Sequence, residues 1–152
     1  MRLYHATYLA NVPAILRDGL LPDQKHNWSG YYLEGQVFLA FDPETAEDFL
    51  SESETYDGQK IAIIEVNADA LDLDRFAYDW NNRCVEDRDI TSVAYEGKIP
   101  PTALRLLPES ERLAVPLTKF GDLAHGDERS TRIFWILADV FDEQVEGSEE
   151  EN

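Results

Sequence analysis

The segment Lys60-Ile61-Ala62-Ile63-Ile64-Glu65-Val66 constrains this chain more than any other. Apolar side chains occupy both alternating positions, so a strand here has almost no face to offer water. Such a strand belongs in the centre of a sheet, and the rest of the chain has to supply its neighbours. The length of 152 residues suits one domain, expected over residues 1–145, with an acidic disordered tail over residues 146–152. A domain of this size buries about 70% of its unfolded surface. A hydrophobic content of 43%, with 11% aromatic, fits a packed core rather than a disordered chain.

The neighbours are legible in outline. Residues 2–8 alternate as a strand, with Leu3 and His5 on one face and Tyr4 on the other. Asn11 is suited to cap a helix over residues 12–18, Pro13 fits its first turn, and Gly19 stops it. Residues 21–35 contain Pro22, Asn27, Ser29, Gly30 and Gly35, a loop long enough to be functional. Residues 36–41 read as a second strand. Asp42 then caps a helix with Pro43 at its first position and acidic residues in its first turn. A helical turn around Ala68 and Ala70, strands over 90–96 and 103–107, and a helix over 131–141 complete the pattern. Together these predict an α+β fold: a split, mainly antiparallel sheet with short helices and a cleft between its halves.

Composition narrows the function. No apolar run approaches the roughly 20 residues of a membrane helix, and Met1-Arg2-Leu3-Tyr4-His5 lacks the apolar stretch of a secretory signal. Cys84 is the single cysteine. It cannot form an internal disulfide, and with three scattered histidines it gives no metal-ligand spacing. The expectation is a cytoplasmic protein with no metal and no membrane partner. Acidic residues number 31 against 13 basic ones, for a net charge of −18. That surface repels duplex nucleic acid, whose binding depends on Lys and Arg neutralising phosphates. The acidity has three readings: a soluble self-repelling surface, adaptation to high salt that screens the repulsion, or a decoy that imitates DNA.

The N-terminal segments carry a resemblance. Leu3-Tyr4-His5-Ala6-Thr7, then Ile15-Leu16-Arg17-Asp18-Gly19-Leu20, then Gly30-Tyr31 and Gln36-Val37-Phe38-Leu39-Ala40 follow one another with few gaps. Ala46 and Phe49 come next. In order and spacing this series resembles the diphtheria-toxin-like, H-Y-E branch of the ADP-ribosyltransferase fold, which includes the poly(ADP-ribose) polymerases. The resemblance implies NAD as substrate, with ADP-ribose passed to a protein or nucleic-acid acceptor. It implies that His5 bonds the nicotinamide-side ribose, that the Ala6 backbone meets the nicotinamide amide, and that Thr7 helps to hold it. Phe38 stands where the family has its strand tyrosine, Phe49 at its second stacking aromatic, and Tyr31 or Tyr32 at the pocket mouth. The family's third strand begins with a catalytic Glu; here Thr91 falls at that position, with Glu86, Asp87 and Asp89 before it and Glu96 too late.

Residue chemistry agrees with this without the family. An imidazole offers a donor and an acceptor to a diol. Aromatic rings give a planar ligand a slot, and cleavage of the nicotinamide bond leaves a cationic sugar that calls for a nearby carboxylate. The strand over 90–96 followed by Ile99-Pro100-Pro101 also resembles RNA 2′-phosphotransferases, which share the fold and need no such Glu. Those enzymes carry an N-terminal lobe and a set of arginines that this chain lacks, so that activity is the alternative. A third reading is a degenerate member that binds a nucleotide or blocks a basic partner. Taken singly, a histidine in a strand is more often a satisfied core or edge residue, and Phe38 and Phe49 suit any core.

Overall fold

The computed structural model describes residues 1–22, 35–79 and 89–150, with side chains through residue 140. In chain order its elements are β1 (Arg2–Tyr8), α1 (Val12–Asp18), β2 (Gln36–Ala40), α2 (Pro43–Ser51), β3 (Ile61–Asn67), β4 (Phe76–Ala77), β5 (Ser92–Glu96), β6 (Leu104–Leu106), α3 (Glu109–Arg112) and α4 (Glu128–Glu150). Among the described residues the strands form one six-stranded sheet in the order β4-β5-β2-β1-β3-β6. Every pairing is antiparallel. The fold is therefore α+β, as the segment pattern predicts.

Two positions differ from the expected order. β3 is interior but not in the middle, because the short strand β6 closes the sheet outside it. α4 is longer than the apolar pattern over 131–141, and its bounds take in most of the acidic segment after residue 145.

The sheet is buried on both faces, which explains the unbroken apolar run in β3. Leu3, Leu39, Ala62, Ile64, Val66 and Val93 pack with Val12 of α1 and with Ile133, Leu137 and Ala138 of α4. On the opposite face Tyr4, Ala40, Ile61 and Ile63 pack with Ala46 of α2 and with Leu107. Ile63 and Ile64, adjacent in sequence, are both fully buried on opposite faces. Each contributes about 1.5–3 kcal/mol by leaving water. The one polar break in β3 is Glu65. Its carboxylate takes both Nε and Nη2 of Arg105 at 3.3 and 3.0 Å, and Arg2 lies at 3.7 Å. Burial and the nearby Glu65 charge push the Tyr4 hydroxyl, opposite it on β1, above its ordinary value.

Chain reversals follow from local chemistry. The α1 helix ends where the Gly19 N–H donates to the Ile15 carbonyl at 2.7 Å. Gly19 has φ +96°, and a Cβ there would collide with the Ile99 carbonyl. Only glycine fits, because Leu20 must run close enough to exchange two backbone hydrogen bonds with Ile99.

Asp42 joins three parts of the molecule. Its Oδ1 accepts from the Thr45 N–H at 2.8 Å, capping α2 as the sequence predicts. Its Oδ2 accepts from the Thr118 N–H at 3.0 Å, which fixes the segment after α3 against the end of β2. The residue is 2% exposed. Asp42→Ala removes both charge-assisted bonds and is expected to cost about 2–4 kcal/mol, read as a lower midpoint in urea. A loss below about 1 kcal/mol would show that the double bond is not stabilising.

Asp127 begins α4 in the same way, its Oδ1 accepting from the Ser130 N–H at 2.8 Å. That N–H holds the Asp127 carboxyl below its ordinary value of 3.8. A lowered carboxyl stabilises the folded state fully above the ordinary value, and the contribution disappears as pH falls through the folded one. Exposure screens it, so Asp127→Ala is expected to cost about 0.5–1 kcal/mol at neutral pH. The gap between wild type and variant should close in denaturation curves recorded below pH 3; a gap of constant size would refute the assignment.

Candidate functional site

The centre of the sheet is asymmetric. β1 pairs with β3 at all seven positions from Arg2↔Asn67 to Tyr8↔Ile61. With β2 it forms a single pair, Tyr4↔Ala40. Beyond that pair the β1–β2 ladder gives way to a seam, and there the His5 Nδ1 lies 3.0 Å from the Phe38 carbonyl oxygen. A carbonyl can only accept, so Nδ1 carries the hydrogen. In the neutral ring Nε2 is then an acceptor. The side chain thus bridges the two strands where their backbones part.

The register assigns the other residues to faces. Residues opposite one another in a ladder share a face, and successive residues alternate. His5 and Thr7 are opposite Ile64 and Ala62, on the face covered by α1 and α4. Ala6 is opposite Ile63, on the face covered by α2, where Phe49 also packs. Phe38 is opposite Ala94 and two residues from Ala40, so its ring turns to that same α2 face. The structure therefore brings Ala6, Phe38 and Phe49 to one side and His5 and Thr7 to the other, with the His5–Phe38 bond between them. Tyr31 and Tyr32 lie outside the described residues, as do Arg83, Cys84, Glu86, Asp87 and Arg88.

Thr91 stands just before β5, and its carbonyl accepts from the Phe41 N–H at 3.2 Å. It is across β2 from β1 and three residues along β2 from the Phe38 carbonyl that His5 meets. The next residue, Ser92, has a partner that sequence reasoning missed. Its hydroxyl donates to Asp79 Oδ2 at 2.9 Å, and both side chains are buried. Asp79 follows β4 in the register that pairs Ala77 with Ala94, so it stands opposite Ser92. A buried carboxylate is thereby held at the start of the third strand, supplied from the strand beside it.

A second residue not read from the sequence is Gln36, the first residue of β2. It is 6% exposed. Its Oε1 has no hydrogen-bond partner among the described residues. A buried acceptor left in that state costs about 1–3 kcal/mol. The available signal was an amide opening an otherwise apolar strand, two residues before Phe38 on the same face.

Among the described residues no three His, Cys, Asp or Glu side chains are grouped to hold a metal ion, and no helix is long and apolar enough to cross a membrane. No protein-family model and no curated protein matches the chain.

The Ser92–Asp79 bond has a direct test. A double-mutant cycle with Ser92→Ala and Asp79→Ala, read by urea denaturation, is expected to give a coupling energy of about 1–2 kcal/mol. Additive single effects would remove the pair from the site.

Proposed function

We propose that this chain is an NAD-dependent ADP-ribosyltransferase-like enzyme, which cleaves the nicotinamide–ribose bond and passes ADP-ribose to an acceptor nucleophile. The observation that carries the reading is the His5 bond to the Phe38 carbonyl at the seam between β1 and β2. It fixes the ring and its tautomer, and leaves Nε2 as the acceptor for a ribose hydroxyl. A dinucleotide laid along the seam meets the imidazole and Thr7 from one side. From the other it meets the Ala6 backbone and the ring of Phe38, with Phe49 behind them.

In the reaction the bond from ribose C1′ to the pyridinium nitrogen breaks, and its electron pair leaves with nicotinamide. The acceptor, or water, bonds C1′ and releases a proton. Positive charge gathers on the sugar in between, and a fixed carboxylate stabilises it. Thr91 offers a hydroxyl and no charge. Asp79, held by Ser92 beside it, is the carboxylate best placed for that task.

Nicotinamide release from NAD, followed by chromatography, tests the reading. His5→Ala is expected to lower the rate at least tenfold, equivalent to about 1.4 kcal/mol, while circular dichroism shows the fold retained. Absence of both nicotinamide release and an NAD-induced rise in melting temperature, at every salt concentration tried, would sink the proposal.

A further inference from the structure

Gln36 is an acceptor without a donor. Its Oε1 is buried on the α2 face and unpaired, and folding alone gives no reason to keep an amide there. A leucine of similar volume would fill the position without an orphaned oxygen. Phe38 lies two residues further along β2 on the same face, about 7 Å away at the rise of a strand. That is the span from the centre of an aromatic ring to a substituent on its edge. Alanines flank Phe38 on that face, Ala94 directly opposite and Ala6 on β1 across the seam. Neither fills the space beside the ring. Tyr8 and Tyr56, stacked at 6.3 Å, form an aromatic wall on the β1 side.

From this geometry we infer that Gln36 is a specificity residue for a heteroaromatic ring bearing an N–H donor, with the ring against Phe38 and the donor on Gln36 Oε1. The inference deepens the NAD reading and rests on it. NAD carries two such groups, the carboxamide of nicotinamide and the amine of adenine. A ligand that presents a carboxylate or carbonyl at that point brings an acceptor to an acceptor and is rejected.

The test uses the full chain with Gln36→Leu and the longer Gln36→Met. Binding of three probes is measured by calorimetry: NAD, its analogue with nicotinic acid for nicotinamide, and its analogue with hypoxanthine for adenine. Melting temperature without ligand is recorded for each variant. The expected result is a loss of NAD affinity of at least tenfold with an unchanged or higher melting temperature. The variants should also lose the preference for NAD over one of the two analogues, and that analogue identifies which end of NAD meets Gln36.

Unchanged affinity in both variants overturns the inference while leaving the NAD reading in place. A lower melting temperature in both variants assigns the amide to the fold and overturns it as well. If the wild type binds no NAD, the NAD reading fails, and nicotinamide and adenosine monophosphate are then titrated alone. Gln36-dependent binding of either upholds the inference by itself, and binding of neither overturns it.

Discussion

β1 is paired along its whole length on one side and at one position on the other. The rest of the architecture follows from that imbalance. Full pairing with β3 fixes which side chains of β1 meet α1 and α4 and which meet α2. A complete second ladder with β2 would make the middle of the sheet continuous and leave no place for a ligand between its halves. The single pair at Tyr4 keeps the halves joined, while the buried layers on both faces keep the sheet whole. His5 then does with a side chain what a ladder does with backbone, by donating to a β2 carbonyl. The same hydrogen bond closes the fold at that point and orients the group with the strongest claim to chemistry.

Local signals in the sequence were read well because their physics is local. Asp42 followed by Pro43 announces a helix start, and the cap forms as expected. Gly19 announces a stop, and the Ile99 carbonyl behind it shows why no other residue serves. The apolar run in β3 says that both faces are covered but not which strands lie beside it. The length of α4 was missed because only its first half carries buried residues; the acidic second half has no apolar period to count. β5 begins at Ser92 rather than at residue 90, a shift that periodicity does not resolve.

The site was legible only in part, for the same reason. His5 and Phe38 were singled out one by one, but alternation within each strand does not tell how the strands are aligned. The register decides that their side chains point to opposite faces and that their link is a side chain to a carbonyl. The Asp79–Ser92 bond joins residues 13 apart across a segment with no clear pattern, so neither residue drew notice alone. Gln36 is a different case, since an unmet acceptor exists only once burial is known.

The two oxygens of Asp42 belong to different moments in the life of the chain. The contact with Thr45 spans three residues, whereas that with Thr118 spans 76. The first is available as soon as the turn after β2 forms, at small entropic expense. The second has to wait until the sheet has gathered most of the sequence, since long loops close late. One carboxylate therefore marks both the beginning and the completion of folding on the α2 face. Until Thr118 arrives, its second oxygen stays hydrated, and the expulsion of that water is part of the final closing of the fold.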